Sequence, residues 1–252
     1  MKQPITQEIE FMARIKVPYE YDSREFEGML VYDETVTEKR PALFMQPDWL
    51  GVCDHSADMA AQAGGTDFVM MVADMFGKGY GDVDRTQEEL GTIARGTRND
   101  LPFVKGCGEA AFKALTAAAN DHGLIDTARV GAIGYCMGGG FVLEQARAGA
   151  EFKGTVVFHV TLPNPVDPDA KPDIKGRVLA IHGSADPVTP KPQIDALEAE
   201  FASNDVDWQL VNFGHAVHSF CVLGANSDSQ RYDDRLCRQS YRMMRDFFAE
   251  TF

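Results

Sequence analysis

Six short apolar runs most constrain the fold that this chain can adopt. They cover residues 42–45, 68–72, 130–135, 155–160, 178–182 and 208–213. Each run has the length of a strand and lacks strict alternation of apolar and polar residues, which is typical of strands buried on both faces. Because helical patterns fall between several runs, the chain predicts an α/β fold with a mostly parallel central sheet and helices on both faces.

The N-terminal part of the chain has a different pattern. Apolar and mostly polar residues alternate from residue 9 to residue 17, and a second apolar stretch covers residues 26–32. The segment Tyr21-Asp22-Ser23 between them has the composition of a turn. These features predict an antiparallel pair of strands before the parallel sheet.

The segments between the apolar runs predict both helices and loops. Amphipathic periodicity favours helices around residues 111–118, 194–201 and 236–248. Residues 73–98 and 162–175 are expected to be irregular, either as the rim or lid of a site or as solvated loops. No repeat or linker interrupts the chain, so a single domain is predicted over residues 1–252.

Charge and cysteine content exclude several classes of protein. Lysine and arginine number 24 against 38 acidic residues, a net charge of −14, so neither nucleic acid nor an acidic membrane surface is an expected partner. No apolar run reaches the roughly 18 residues of a membrane span. Five widely spaced cysteines without a CxxC pair predict no zinc site and no disulfide framework. The polar first ten residues lack a signal-peptide core, so a cytoplasmic protein with free thiols is expected.

Cys136 lies in the sequence Gly134-Tyr135-Cys136-Met137-Gly138, between a predicted buried strand and a helical pattern. A nucleophile at a sharp strand-to-helix turn needs residues without side chains two positions away on either side. The turn also leaves the Met137 N–H at a helix N-terminus, where it can stabilise an oxyanion. A structural cysteine buried in a glycine-rich helix start is the alternative interpretation.

A nucleophile on such a turn requires an acid and then a histidine further along the chain. Asp186 follows an apolar run and so lies beyond the carboxyl end of a strand, where open parallel sheets bind ligands. His215 and His218 both follow the last run and compete for the role of base, with His218 preferred. Surface or strand-end positions are predicted for the other histidines, His55, His122, His159 and His182.

These motifs resemble those of the dienelactone hydrolase family, a branch of the α/β-hydrolases, over nearly the whole chain. The resemblance is densest after residue 129, in Gly134-Tyr135-Cys136-Met137-Gly138-Gly139, His182-Gly183-Ser184-Ala185-Asp186-Pro187 and His218-Ser219-Phe220. It implies an α/β-hydrolase fold and a catalytic triad of Cys136, Asp186 and His218, which favours His218 over His215.

The same resemblance assigns roles to the loop Gln46-Pro47-Asp48-Trp49-Leu50-Gly51. In the family an acidic residue there, usually glutamate, activates the resting cysteine, and the next residue completes the oxyanion hole. Here these roles fall to Asp48, whose side chain is one methylene shorter, and to the backbone N–H of Trp49. The resemblance also implies arginine contacts to an anionic substrate, although no arginine matches a motif closely enough to be named.

The predicted function is hydrolysis of small activated esters or lactones through a thioester on Cys136, without a cofactor or metal. Because a thiolate leaves readily, the thiol pKa being about 8.5, plain alkyl esters and amides are expected to react poorly. A thioesterase, carboxylesterase or peptidase-like hydrolase on the same triad is one alternative. A non-catalytic redox sensor, with Cys221 as resolving cysteine, is another. The expected partner is the small substrate alone, in a monomer or small homo-oligomer.

Overall fold

Eight strands form one continuous sheet in the computed structural model, which describes residues 11–162 and 171–252. In chain order the strands are β1 (Met12–Tyr21), β2 (Arg24–Asp33), β3 (Arg40–Gln46), β4 (Val69–Val72), β5 (Ile125–Tyr135), β6 (Gly154–Phe158), β7 (Arg177–Gly183) and β8 (Trp208–Phe213). Their order across the sheet is β1-β2-β4-β3-β5-β6-β7-β8. The six predicted apolar runs fall on β3 to β8, which pair with one another in parallel.

The predicted N-terminal antiparallel pair is confirmed by β1 and β2. Asp22 and Ser23 join these strands with φ angles of 50° and 58°, the left-handed conformation that a tight two-residue hairpin turn needs. β2 also pairs antiparallel with β4, which attaches the hairpin to the parallel part of the sheet. Residues 1–10, with the start of the predicted alternation and the polar N-terminus, lie outside the described residues.

The described residues form six helices. They are α1 (Asp54–Gly64), α2 (Gln87–Asn99), α3 (Leu101–His122), α4 (Met137–Arg147), α5 (Lys191–Ser203) and α6 (Asp234–Thr251). All but α2, which packs on α3 and α4, lie against the two faces of this sheet. Apolar residues of α1 and α6 share a buried cluster with Leu43 and Ile133, whereas those of α3, α4 and α5 pack with Phe44 and Ala132. Neighbouring residues of one strand thus face opposite helical layers. This arrangement confirms the predicted α/β fold and explains why the runs show no polar alternation.

Residues 73–98 are not wholly irregular, and that prediction is wrong. They contain the short 3-10 turn Tyr80–Asp82 and most of α2. α2 begins with a capping box, in which the Glu89 N–H donates to the Thr86 side chain and the Glu89 carboxylate accepts from the Thr86 N–H. The Thr-x-x-Glu pattern is the sequence signal of this helix start. In the other predicted loop, residues 163–170 lie outside the described residues.

Two of the five cysteines are paired, which corrects the expectation of free thiols. Cys221 and Cys237 form a disulfide with their Cα atoms 4.7 Å apart. This bond ties the segment after β8 to α6, while Cys53, Cys107 and Cys136 are free. Within residues 11–162 and 171–252, no helix has the length and apolar character to cross a membrane. The same residues contain no group of His, Cys, Asp and Glu side chains arranged to hold a metal ion.

Candidate active site

Cys136 lies at the sharp turn between β5 and α4, at the edge of a cavity of about 330 Å³. Its backbone has a φ of 54° and a ψ of −120°, a strained conformation for a residue with a side chain. A Cβ on Gly134 would lie 2.3 Å from the Gly138 carbonyl oxygen, and one on Gly138 would lie 2.2 Å from the Gln46 carbonyl oxygen. Close backbone contacts therefore explain both glycines of the motif.

His218 and Asp186 reach Cys136 from loops at the same edge of the sheet. His218 Nε2 lies 3.0 Å from Cys136 Sγ, and His218 Nδ1 lies 2.7 Å from Asp186 Oδ2. The other oxygen of Asp186 accepts hydrogen bonds from the Val188 and Thr189 N–H groups at 2.8 and 3.1 Å. The three side chains form one hydrogen-bonded chain, in which His218 and Asp186 are buried.

The protonation of His218 follows from its two neighbours. Burial alone would lower the pKa of His218, but the Cys136 sulfur and the Asp186 carboxylate outweigh burial and raise that pKa to about 10. At neutral pH the imidazole therefore holds its proton between a sulfur and a carboxylate. Such an arrangement suits a group that delivers a proton to a leaving oxygen.

The remaining histidines occupy different environments. His215, the competing candidate for the base, is exposed in the turn after β8. His159 follows β6, is fully buried, and packs its ring against that of His218 with the centroids 5.2 Å apart. His182 in β7 is also buried, with Nδ1 3.9 Å from Asp186 Oδ2. His159 and His182 therefore lie at strand ends, as predicted, but they are buried next to His218 and Asp186 rather than exposed to solvent.

The two residues whose backbone N–H groups are predicted to donate to an oxyanion both lie at the cavity. Met137 is the first residue of α4, and Trp49 lies in the loop after β3; both line the cavity with Cys136. Gln46 at the end of β3 pairs with Gly134 of β5, so the two loops leave the sheet side by side. Within the described part of the chain, neither N–H donates to a backbone carbonyl.

Asp48 is buried beside the cavity, and within the described residues the hydrogen-bond partners of Cys136 Sγ are His218 and Thr161 rather than Asp48. Its Oδ1 accepts a hydrogen bond from the Leu50 N–H at 2.9 Å, and its Oδ2 lies 3.7 Å from His55 Nε2. The interaction with Asp48 raises the pKa of His55. The short carboxylate therefore stabilises its own turn and lies beside His55, and its role in activating Cys136 stays a prediction.

Thr161 is a site residue that the sequence reasoning missed. Its hydroxyl lies 3.4 Å from Cys136 Sγ and 3.4 Å from His218 Nε2. Thr161 follows β6, and β6 neighbours β5 in the sheet, so the carboxyl ends of the two strands bring it to Cys136. Its neighbours Val160 and Leu162 form no catalytic motif with it, so only the order of strands across the sheet could have identified Thr161.

Helix α2 forms part of the cavity wall and places two arginines there, Arg95 and Arg98. Arg98 is half-buried, and its Nε has no hydrogen-bond partner among the described residues. Apolar side chains of Trp49, Leu50 and Val188 complete the nearby lining. The cavity therefore combines an apolar wall with positive charge close to the sulfur.

Comparisons with known proteins identify the family and the fold of this chain. The model of the dienelactone hydrolase family matches residues 26–252. The solved structure of a protein named m3DLH is 32% identical, with a TM-score of 0.86, over 96% of this chain and 99% of its own. A dienelactone hydrolase-like promiscuous phosphotriesterase, P91 from metagenomic libraries, is 32% identical with a TM-score of 0.83 over 96% and 99%. A protein of Methylorubrum extorquens named "Putative carboxymethylenebutenolidase" is 25% identical over 71% of this chain and 63% of its own length.

Proposed function

Because this chain belongs to the dienelactone hydrolase family and is a carboxylic ester hydrolase, we propose that it hydrolyses small activated esters or lactones through a thioester on Cys136. The observation that carries the proposal is the hydrogen-bonded chain from Cys136 Sγ through His218 to Asp186, with contacts of 3.0 and 2.7 Å. A thiol, an imidazole and a carboxylate connected in this order can generate and use a sulfur nucleophile.

The first half of the reaction acylates the sulfur. With its proton on His218, Cys136 attacks the carbonyl carbon as a thiolate, and the carbonyl electron pair moves onto oxygen. The N–H groups of Met137 and Trp49 stabilise this oxyanion, and losing one such donor typically raises a barrier by about 3 kcal/mol. When the C–O bond breaks, the leaving oxygen takes the proton from His218, which Asp186 holds in position.

The second half of the reaction hydrolyses the thioester and regenerates the free enzyme. His218, now neutral, takes a proton from water, and the water oxygen attacks the thioester carbon. Collapse of the second tetrahedral intermediate re-forms the carbonyl and breaks the C–S bond, with the electron pair returning to sulfur. The acid product leaves, and Cys136 and His218 are again a charged pair.

The nucleophile limits which esters react well. Thiols in general are far more acidic than alkyl alcohols, so the first tetrahedral intermediate of an alkyl ester expels sulfur more readily than alkoxide. An enol ester or enol lactone expels a stabilised enolate instead, which competes with the thiolate. Sulfur chemistry thus favours activated esters and lactones over plain alkyl esters and amides.

The cavity favours substrates that carry a negative charge. Arg98 is half-buried near Cys136 with its Nε unpartnered among the described residues, and Arg95 lies one turn earlier on the same helix. Guanidinium groups bind carboxylates through parallel N–H donors. A small activated ester or lactone with a carboxylate is therefore the substrate class that we propose.

A matched substrate panel tests this function. Wild type, Cys136→Ala and Cys136→Ser are assayed on p-nitrophenyl acetate, an enol lactone with a carboxylate and an ethyl ester. We expect wild type to hydrolyse the first two, Cys136→Ala to lose activity on both, and iodoacetamide to inactivate wild type. Cys136→Ser should gain relatively more on the ethyl ester, because serine alkoxide and ethoxide leave equally well. Full activity of Cys136→Ala would contradict the proposal.

Phosphotriester hydrolysis is a second candidate, favoured by the likeness to the promiscuous phosphotriesterase over 96% of this chain. The same thiolate would attack phosphorus and expel an aryloxide, and water would then cleave the S–P bond. Adding paraoxon to the panel tests this candidate.

The redox-sensor alternative loses its resolving thiol, because Cys221 is bonded to Cys237.

A further inference from the structure

The Thr161 hydroxyl lies close to Cys136 and His218, the two groups that exchange a proton in the proposed reaction. It is 3.4 Å from Cys136 Sγ and 3.4 Å from His218 Nε2, and it lines the same cavity as both residues. The distance to sulfur is suitable for a hydrogen bond from a hydroxyl, since sulfur is a large acceptor, whereas the distance to nitrogen is long. The geometry therefore favours the sulfur as the acceptor of the Thr161 proton.

The backbone around Thr161 holds this hydroxyl in place. The Thr161 N–H donates to the Cys136 carbonyl at 2.8 Å, and the Cys136 N–H donates to the Phe158 carbonyl at 3.1 Å. On the other side, the Thr189 hydroxyl donates to the Val160 carbonyl at 2.6 Å. Thr161 is thus fixed between the turn that carries Cys136 and the loop that carries Asp186, with only 7% of its surface exposed.

We propose that the Thr161 hydroxyl is a catalytic hydrogen-bond donor to the Cys136 sulfur, and that its main effect is to help expel the thiolate when the acyl-enzyme is hydrolysed. The inference rests on the proposed function, because it assigns a role within the thioester reaction. It adds a second fixed donor to the sulfur, beside His218.

The two halves of the reaction respond differently to such a donor. During acylation the bond stabilises the reactant thiolate, and a stabilised thiolate is a weaker nucleophile. In the acyl-enzyme the sulfur carries no charge. When the C–S bond then breaks, the electron pair returns to sulfur, and a donor already fixed beside it stabilises the developing charge without reorganisation. Loss of the hydroxyl should therefore slow deacylation and leave acylation as fast or faster.

Pre-steady-state kinetics of Thr161→Val and Thr161→Ser test this inference. With p-nitrophenyl acetate, Thr161→Val should release one equivalent of p-nitrophenol in a burst and then turn over about 10- to 100-fold more slowly than wild type, the effect expected for a hydrogen bond to a charged group. Its KM should fall together with kcat, and intact mass should show one acetyl group accumulating on Cys136. Thr161→Ser, which keeps the hydroxyl, should behave like wild type.

Controls separate this role from a structural one. Thr155→Val removes a buried threonine from β6, the strand that precedes Thr161, at a position outside the site, and should leave kcat unchanged. A structural defect in Thr161→Val would slow the burst as well as the turnover, and would contradict the inference. So would a kcat equal to that of wild type, or an equal loss in Thr161→Ser. If Thr161→Val does not fold, Thr161→Ala supplies the same comparison.

The design also separates failure of this inference from failure of the proposed function. If wild type forms no acetyl-enzyme on Cys136 and hydrolyses no ester, the thioester mechanism itself is wrong. If wild type acylates and deacylates normally, but the hydroxyl makes no difference to deacylation, only the role of Thr161 is wrong.

Discussion

His159 is a buried imidazole whose ring nitrogens have no partner among the described residues. Burial, and next the charge of His218, lower its pKa well below the ordinary value. A histidine in the unfolded chain has a pKa of about 6.5. Below that pH, His159 is protonated in the unfolded chain but stays neutral in the folded protein. The free energy of unfolding should therefore fall with acidity between pH 6.5 and 5, and His159→Phe should reduce that slope by up to about 1.4 kcal/mol per pH unit.

Urea unfolding at several pH values measures this slope, with His122→Phe at the exposed end of α3 as the matched control. His218 does not interfere in that range. Because folding raises the pKa of His218 to about 10, the protonated ring stabilises the folded protein. That stabilisation is fully present below pH 6.5 and is lost as the pH rises toward about 10. An equal slope in wild type and His159→Phe would show that His159 accepts a proton in the folded state.

Single residues also show where sequence reasoning succeeds and where it stops. Cys136 was identifiable because Gly134 and Gly138 reveal a turn that needs them. Asp186 and His218 follow apolar runs, and chain order together with the family resemblance selects them. Thr161 and His159 carry no comparable local signal, because their contacts arise from the adjacency of β5, β6 and β7, and strand order cannot be deduced from local periodicity.

Helix α2 brings positive charge to the cavity, and Arg98 is its half-buried member. If Arg98 binds the substrate carboxylate, Arg98→Met should raise KM for an anionic activated ester about 10-fold or more, the size expected for a charged hydrogen bond. KM for the uncharged methyl ester of the same compound should stay within about twofold, because no charge is bound there. Initial-rate kinetics on the two esters measure the difference.

Arg238→Met is the matched control for that comparison. It removes the same charge from an exposed position on α6, where Arg238 pairs with Asp234 at 2.8 Å. In a protein of net charge −14, this variant reveals any effect of overall charge on an anionic substrate. Equal KM changes in Arg98→Met and Arg238→Met would exclude a local binding role for Arg98.

At the level of elements, uninterrupted apolar runs predicted the six parallel strands, because burial on both faces leaves no polar alternation. Amphipathic periodicity predicted α3, α5 and α6, and the helical pattern after Cys136 predicted α4. α1 was not predicted, and neither was α2. Only Leu90 and Ala94 of this helix are buried, so its apolar stripe is too narrow to stand out. Its start is marked by Thr86 and Glu89 rather than by hydrophobic spacing.

The disulfide between Cys221 and Cys237 acts on the whole molecule, because it joins the segment after His218 to the C-terminal helix. Thiol titration in urea should find three reactive thiols in unreduced protein and five after reduction. The bond closes a loop with a sequence separation of 16 residues, so its reduction should lower the free energy of unfolding by about 3 kcal/mol. Five thiols without a reductant would show that the bond is absent.

The groups gathered at the cavity all come from segments that leave the carboxyl ends of the parallel strands or from α2. Connections at the opposite end, such as the turn around Asp205 between α5 and β8, contribute nothing to it. That remote end is thus a natural anchoring point. A fusion partner or a solid support joined at Asp205 would leave the mouth of the cavity facing away from the attachment, so an immobilised form of the protein would keep its reaction chamber open to solvent.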